Sequence, residues 1–427
     1  MISTRQHIRD ILRLGTPIVI AQLGVVVQGI ADTVMVGHYG TPELSAAGFV
    51  NNIYNLIIFF LLGLSYSTTP VAGAFWSSNQ RDKARRTLSE SCIIGIQGSI
   101  TVIALLMILY FNIEVLDQPQ ELLPLIKPYF LVLAASLPFM AIFNSYKQYS
   151  DAIGDTKTPM YVMIASNILN IIGNYILIFT CDMGLLGAGF ATFLSRVMLA
   201  VTMIYLLRTP EVKLRRTKEG FRKLTRLGLP ISFQLCLEAS SFNICAIFMG
   251  WISATALAAH QILCTLSQVV FLVHYGIGAA AAISISHYVG KKNRQEVRRV
   301  TYTAYGMSLF VGIVLSTIVF IMRRPLLELF TIDADVIATG MLLFIPYVVY
   351  QVGDCTQIIF SNALRGIGRV KAMITDAAIA YVVVSLPMSY LFAFTLGYGA
   401  VGVWWGMPFG LTTAGVIFLL RFIRYSK

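Results

Sequence analysis

The sequence predicts an all-α integral membrane protein, with twelve transmembrane helices in two six-helix lobes related by a pseudo-twofold axis along the membrane normal. Three observations carry this reading. Only 12% of the 427 residues are charged while 57% are apolar, where a soluble chain carries roughly 25% charged residues. The mean hydropathy is +0.74, and the apolar residues fall in successive blocks near the ~20 residues that a spanning helix needs. The chain also repeats itself at a fixed offset. A soluble enzyme, a nucleic-acid binder and a disordered scaffold are excluded by the first two observations, although the formal net charge is +12.

Taken in order, the apolar runs between charged or turn-forming punctuation predict helices over 11–36, 47–74, 91–112, 126–149, 160–180, 186–208, 227–250, 257–286, 300–322, 336–363, 374–396 and 400–422. Of the 32 Lys and Arg residues, all but Lys127, Arg323, Arg324 and Arg196 fall on one side. These include Arg5, Arg9 and Arg13, the cluster Arg81–Arg86, the basic stretch from Arg208 to Arg226, the cluster Lys291–Arg299, then Arg365, Arg369 and Lys371, and the C-terminal Arg421, Arg424 and Lys427. That asymmetry places both termini in the cytoplasm of a multi-pass protein of the cell (inner) membrane. The positive charge is therefore a topology signal, and no nucleic-acid partner is expected. The opposite side is mildly acidic, with Glu114, Asp117 and Glu121 in one loop and Asp333 and Asp335 in another. The first block follows three arginines but runs too long for a signal peptide and holds Asp32, so it reads as a retained helix. The six cysteines show no exposed pairing that would predict a disulfide framework.

The repeat has an offset of 213 residues. Arg13, Leu14, Gly15, Pro17 and Ile18 recur as Arg226, Leu227, Gly228, Pro230 and Ile231. Arg81, Arg85 and Arg86 recur as Arg294, Arg298 and Arg299, and Gly184 and Gly189 as Gly397 and Gly402. Each half holds an even number of spans, so the halves are parallel repeats: an N-lobe over 1–208, a basic cytoplasmic linker over 209–226, and a C-lobe over 227–427. Two such lobes enclose a central cleft, and rocking them about it gives alternating access.

Asp32, Glu238 and Asp354 sit inside apolar runs, where an acid costs about 2.5–3.5 kcal/mol on insertion scales. Residues that costly line polar cavities or carry ions. The bland alternative is a structural carboxylate paired with a basic neighbour, but the spans offer only Arg196. Nor does the repeat duplicate these acids, since Val25 stands opposite Glu238 and Cys245 opposite Asp32. Asp376, near Lys371 and a helix start, reads as a cap or surface pair. Polar partners share helix faces with the acids: Tyr350, Asp354 and Gln357 in helix 10, and Gln234, Glu238 and Ser241 in helix 7, followed by Phe242. Helix 5 carries Asn170 and Asn174, and helix 2 carries Asn51, Asn52 and Asn55. Carboxylate, amide and hydroxyl oxygens hold a hard cation such as Na⁺, while the same acids out of water could carry H⁺; both ions stay open. The five histidines show no metal-ligand spacing, and no phosphate-binding loop or soluble nucleotide-binding segment occurs. No cofactor is expected beyond a coupling ion.

The stretches RLGTPIVIAQ through ADTVMVGHYGTPELSAAG, RLGLPISFQLCLEASSF in helix 7, AAHQI opening helix 8, and QVGDCTQIIFSNALRGIGRVK in helix 10 resemble the multidrug and toxic compound extrusion (MATE) family of the MOP flippase superfamily, in its NorM-like branch. This resemblance implies a monomeric secondary transporter in the lipid bilayer, exporting small organic, often cationic drugs in antiport with Na⁺ or H⁺. It implies a C-lobe cation site at Glu238 and Asp354 beside Tyr350, an N-lobe coupling acid at Asp32, and polar partners Asn170, Asn174 and Thr192. It further places Gln261, Phe242 and Phe271 near bound drug or cation beside Asp32; some relatives have Tyr at the place of Phe271. With Asn52 and Gln357 from the polar helix faces above, these make up the expected substrate cavity. The rival readings are a lipid-linked oligosaccharide flippase of the same superfamily, which should line its cleft with basic residues, and an integral-membrane enzyme, for which no His, Ser or metal constellation stands out.

Overall fold

The computed structural model describes residues 3–113, 119–207 and 217–426. Glu114, Asp117, Arg208 and the 209–216 part of the expected linker lie outside the described residues. Among those described there is no strand, and twelve helices are long and apolar enough to cross a membrane. They are α1 (Thr4–Tyr39), α2 (Thr41–Ser77), α3 (Arg81–Phe111), α4 (Gln120–Ala152), α5 (Lys157–Thr180), α6 (Gly184–Leu206), α7 (Lys218–Ile252), α8 (Ala254–Gly290), α9 (Arg294–Ile321), α10 (Ala334–Ile367), α11 (Met373–Thr395) and α12 (Gly399–Ser426). Many extend beyond the apolar run that predicts them, because polar residues at their ends continue the helix. A short amphipathic helix, Arg323–Phe330, precedes α10.

The chain forms two compact units, Pro17–Ser232 and a second made of Met1–Thr16 with Phe233–Lys427. The breaks therefore fall inside α1 and α7 rather than in the linker. The first sixteen residues belong with the C-terminal unit, and 217–232 with the N-terminal one. Residues 218–226, expected as linker, are the opening turns of α7. Both breaks lie within two residues of an intrahelical proline, Pro17 and Pro230, where the ring removes one i→i−4 hydrogen bond and loosens the helix.

In the N-terminal unit α4 is the hub, packed on α2, α3 and α6. The buried aromatic pair Tyr54 and Phe130 stacks edge-on at 5.3 Å, and the Tyr54 hydroxyl donates to the Phe130 carbonyl at 2.7 Å. In the C-terminal unit its counterpart α10 packs along α8, α9 and α12. Small residues bring α11 and α12 together: Gly402, Gly406 and Gly410 line one face at four-residue spacing. A Cβ on Gly402 would strike the backbone of Phe392 and Ala393, and a Cβ on Gly406 that of Ser389. Such stripes let membrane helices approach closely where lipid gives no hydrophobic drive between them.

Candidate functional site: two acid-centred clusters within the spans

In the C-terminal unit the site is built on α7, α10 and α11. Four-residue spacing puts Gln234 and Glu238 on one face of α7, and Gln234 Nε2 donates to Glu238 Oε2 at 2.9 Å. From α10, Gln357 Nε2 donates to the same oxygen at 3.1 Å. Asp354 is 2% exposed and close enough to Glu238 for the two charges to repel. Its Oδ2 and Gln357 Oε1 are buried without a hydrogen-bond partner. Tyr350 is also buried, flanked by the Phe242 ring at 6.2 Å and the Trp404 ring at 5.9 Å. Tyr381, from a stretch of α11 wound in wide π-type turns, stands beside the Glu238 carboxylate.

Arg365 changes the electrostatics expected from sequence. It was expected among the cytoplasmic loop charges, with Arg196 as the sole basic residue inside the spans. Instead α10 continues to Ile367 and ends on Gly368, whose φ of +75° closes the helix. Arg365 is buried within it at 6% exposure, and its Nη2 donates to Gln234 Oε1 at 2.6 Å. Eleven residues beyond Asp354 is three helical turns, so both lie on one face; that spacing is the signal that could have found it. Asp376 differs likewise. It is 2% exposed rather than at the surface, and both its oxygens are engaged by the Arg421 guanidinium of α12.

In the N-terminal unit Asp32 of α1 accepts from Asn174 Nδ2 at 2.5 Å, and from Gln28 Nε2 at 3.5 Å. Asn174 also donates to Asn170 Oδ1 at 3.3 Å. It closes the α-helical part of α5, just before the wide turns of Tyr175–Thr180. Such turns recur at functional sites. Arg196 of α6 lies within electrostatic reach of Asp32 and donates to Ser136 Oγ at 2.7 Å.

Glu238, Asp354, Tyr350, Phe242 and Gln357 thus come together in one cluster, and Asp32, Asn170 and Asn174 in another. Thr192, Asn52 and Gln261 make no side-chain hydrogen bond to either cluster among the described residues. Asn52 and Gln261 are exposed on their units, and Phe271 instead stacks on Tyr275 at 6.0 Å.

Twelve membrane-length helices, matched along most of the chain to a transporter family, make this a polytopic membrane transporter rather than an enzyme. The chain belongs to the MatE family, whose family model matches residues 17–176 and 230–391. It is 31% identical to the probable multidrug resistance protein NorM of Bradyrhizobium diazoefficiens, covering 98% of this chain and 93% of that one. It is 27% identical to the multidrug resistance protein NorM of Vibrio parahaemolyticus, over 98% and 95%. Among solved structures, a Vibrio cholerae MATE transporter superposes with a TM-score of 0.89 at 20% identity, covering 99% of this chain and 97% of that one. The eukaryotic MATE transporter AtDTX14 gives 0.88 at 19%, over 98% and 96%.

Proposed function

We propose that the protein exports organic, often cationic compounds across the cell membrane, in antiport with a monovalent cation and by alternating access of its two lobes. The relatives named as multidrug resistance proteins support the substrate class. The observation that carries the coupling is a charge deficit. The C-terminal cluster holds two carboxylates, Glu238 and Asp354, against one guanidinium, Arg365, which reaches Glu238 through Gln234. The N-terminal cluster pairs one acid, Asp32, with one base, Arg196. An unmatched buried charge is costly, so the C-terminal cluster is the one that gains from a mobile cation. The unpartnered oxygens Asp354 Oδ2 and Gln357 Oε1 are the donor type that Na⁺ prefers.

In this reading the cation neutralises the cluster in the outward-open state and favours release of the drug. The loaded lobes then turn inward, the ion leaves to the cytoplasm, and the vacated negative charge receives the next organic cation. Two positive charges compete for one deficit, and that competition couples the fluxes. The orientation, with both termini cytoplasmic, and the monomeric state belong to the same proposal.

The test is ethidium export from cells and proteoliposomes bearing the full chain. Dye release driven by an imposed Na⁺ gradient at fixed pH supports Na⁺ coupling, and release driven only by a pH jump assigns H⁺. Export indifferent to both gradients refutes antiport.

A further inference from the structure

Polar residues that take no part in the carboxylate clusters meet between α8, α9 and α10 of the C-terminal unit. Four-residue spacing puts Ser308, Gly312 and Ser316 on one face of α9, and Tyr347, Gln351 and Cys355 on one face of α10. His274 of α8 is fully buried, and its Nδ1 meets Ser308 Oγ at 2.7 Å. Its Nε2 has no hydrogen-bond partner and stands against Gly312, where an added Cβ would come within 3.1 Å of it. The Ser316 hydroxyl and both the nitrogen and the oxygen of the Gln351 amide are likewise buried without a partner. Over these groups lies a groove of about 360 Å³ between α9 and α10, with Gly312, Ser316 and Gln351 in its wall. Ile313, Ile345 and Val349 also line it and are exposed, a rim suited to bilayer hydrocarbon. Among the described residues no Asp, Glu, Lys or Arg lines the groove.

The internal repeat shows that the fold does not require this polarity. Subtracting 213 from His274, Ser308 and Ser316 gives Leu61, Gly95 and Ile103. Gly312 becomes Ser99, whose hydroxyl donates to the Ile96 carbonyl at 2.8 Å. The N-terminal unit thus builds the matching place from apolar residues and one satisfied hydroxyl. In the C-terminal unit four buried polar atoms, His274 Nε2, Ser316 Oγ, Gln351 Nε2 and Gln351 Oε1, gather at or behind one groove without partners. A buried polar atom left unmatched is destabilising, so a ligand that supplies the missing bonds is favoured there.

We propose that the α9/α10 groove binds a neutral, membrane-dissolved molecule with a primary carboxamide head and an apolar body, the head pairing with the Gln351 amide. Gln351 presents a donor and an acceptor together, and a primary carboxamide returns one of each. Ser316 can take the remaining N–H or lone pair of that head. A charged head is disfavoured, because the wall holds no counter-charge and burying an unpaired ion is costly. A largely apolar pocket of this volume with a few placed polar groups is the usual form of a small-molecule site.

The full chain in phospholipid nanodiscs tests this without any ion gradient, by irradiation with dodecanamide carrying a terminal diazirine and peptide mass spectrometry. Adducts should fall within 309–320 and 345–355, and unlabelled dodecanamide should compete for them. Dodecylammonium and dodecanoate, which bring a charge, and dodecane, which brings no hydrogen bond, should compete about tenfold less well or worse. Gln351→Leu should weaken dodecanamide competition about 30-fold through the loss of two hydrogen bonds. Its melting temperature without the probe should hold or rise, because a stranded amide is gone. Val349→Trp, which adds bulk at the rim, should abolish the adducts. Adducts spread over other helices, or labelling and competition unchanged in both variants, overturn the proposal. Equal competition by dodecane or by dodecylammonium overturns the carboxamide assignment.

Discussion

Gln357 and Glu238 meet across α10 and α7 at 3.1 Å, on the same carboxylate oxygen that Gln234 holds at 2.9 Å. One oxygen of the acid is thus committed to two amide donors. Glu238→Gln keeps the shape, removes the charge, and places amide groups against amide groups. Gradient-driven ethidium export should stop while membrane insertion and the size-exclusion profile stay native. Full export by this variant would remove Glu238 from the coupling machinery.

Arg365 acts on that acid through Gln234 and is a positioning residue. Arg365→Met takes the 2.6 Å donor away from Gln234 Oε1, and stranding a buried acceptor costs about 1–3 kcal/mol. The expected result is a lower melting temperature in detergent and a weaker apparent affinity for the coupling ion, with partial recovery of both in Arg365→Lys. A purely structural arginine would lower the melting temperature and leave the ion affinity unmoved.

Asn174→Ala should weaken the N-terminal unit by a similar ~1–3 kcal/mol, since it strips Asp32 of its shortest donor and Asn170 of its partner. Asn174→Asp should be worse, because it sets a second carboxylate against Asp32. Thermal melts of the two variants rank them directly, and equal melts would show that Asn174 does not bear on Asp32.

The Asp376–Arg421 pair invites a double-mutant cycle. Arg421→Met leaves a buried carboxylate alone and should cost about 3 kcal/mol or more. Arg421→Met/Asp376→Leu should recover most of that loss, because an apolar pair of like size removes the stranded carboxylate at little net cost. Additive losses in the double variant would mean that the two side chains are not coupled.

Gly406→Ala tests the stripe between α11 and α12. Its methyl meets the Ser389 backbone, and overpacking of this kind costs about 1–3 kcal/mol. Gly306→Ala, where an added Cβ meets nothing within 4 Å, should leave the melting temperature unchanged or slightly raised.

The twelve spans were legible because hydropathy is a property of consecutive residues, and so was the repeat, because ungapped register survives in the letters. The three costly acids were legible for the same local reason. Arg365 was not, since it sits beyond the apolar run, and only the α10 face that it shares with Asp354 shows it to be internal. Asp376 was misplaced because its partner, Arg421, is 45 residues away. Thr192, Gln261 and Phe271 entered through family resemblance, which transfers a position without its neighbours. The exchange of helix halves at Pro17 and Pro230 was invisible because no local signal says which unit a continuous helix joins.

That exchange makes the two sequence halves mutually dependent. A fragment ending before the 208–216 segment would carry sixteen residues whose proper neighbours lie in the other fragment. It would also lack the 217–232 stretch that completes its own unit. Expressed singly, each piece should be cleared by membrane proteolysis; made together in one cell, they should rescue one another as a split protein.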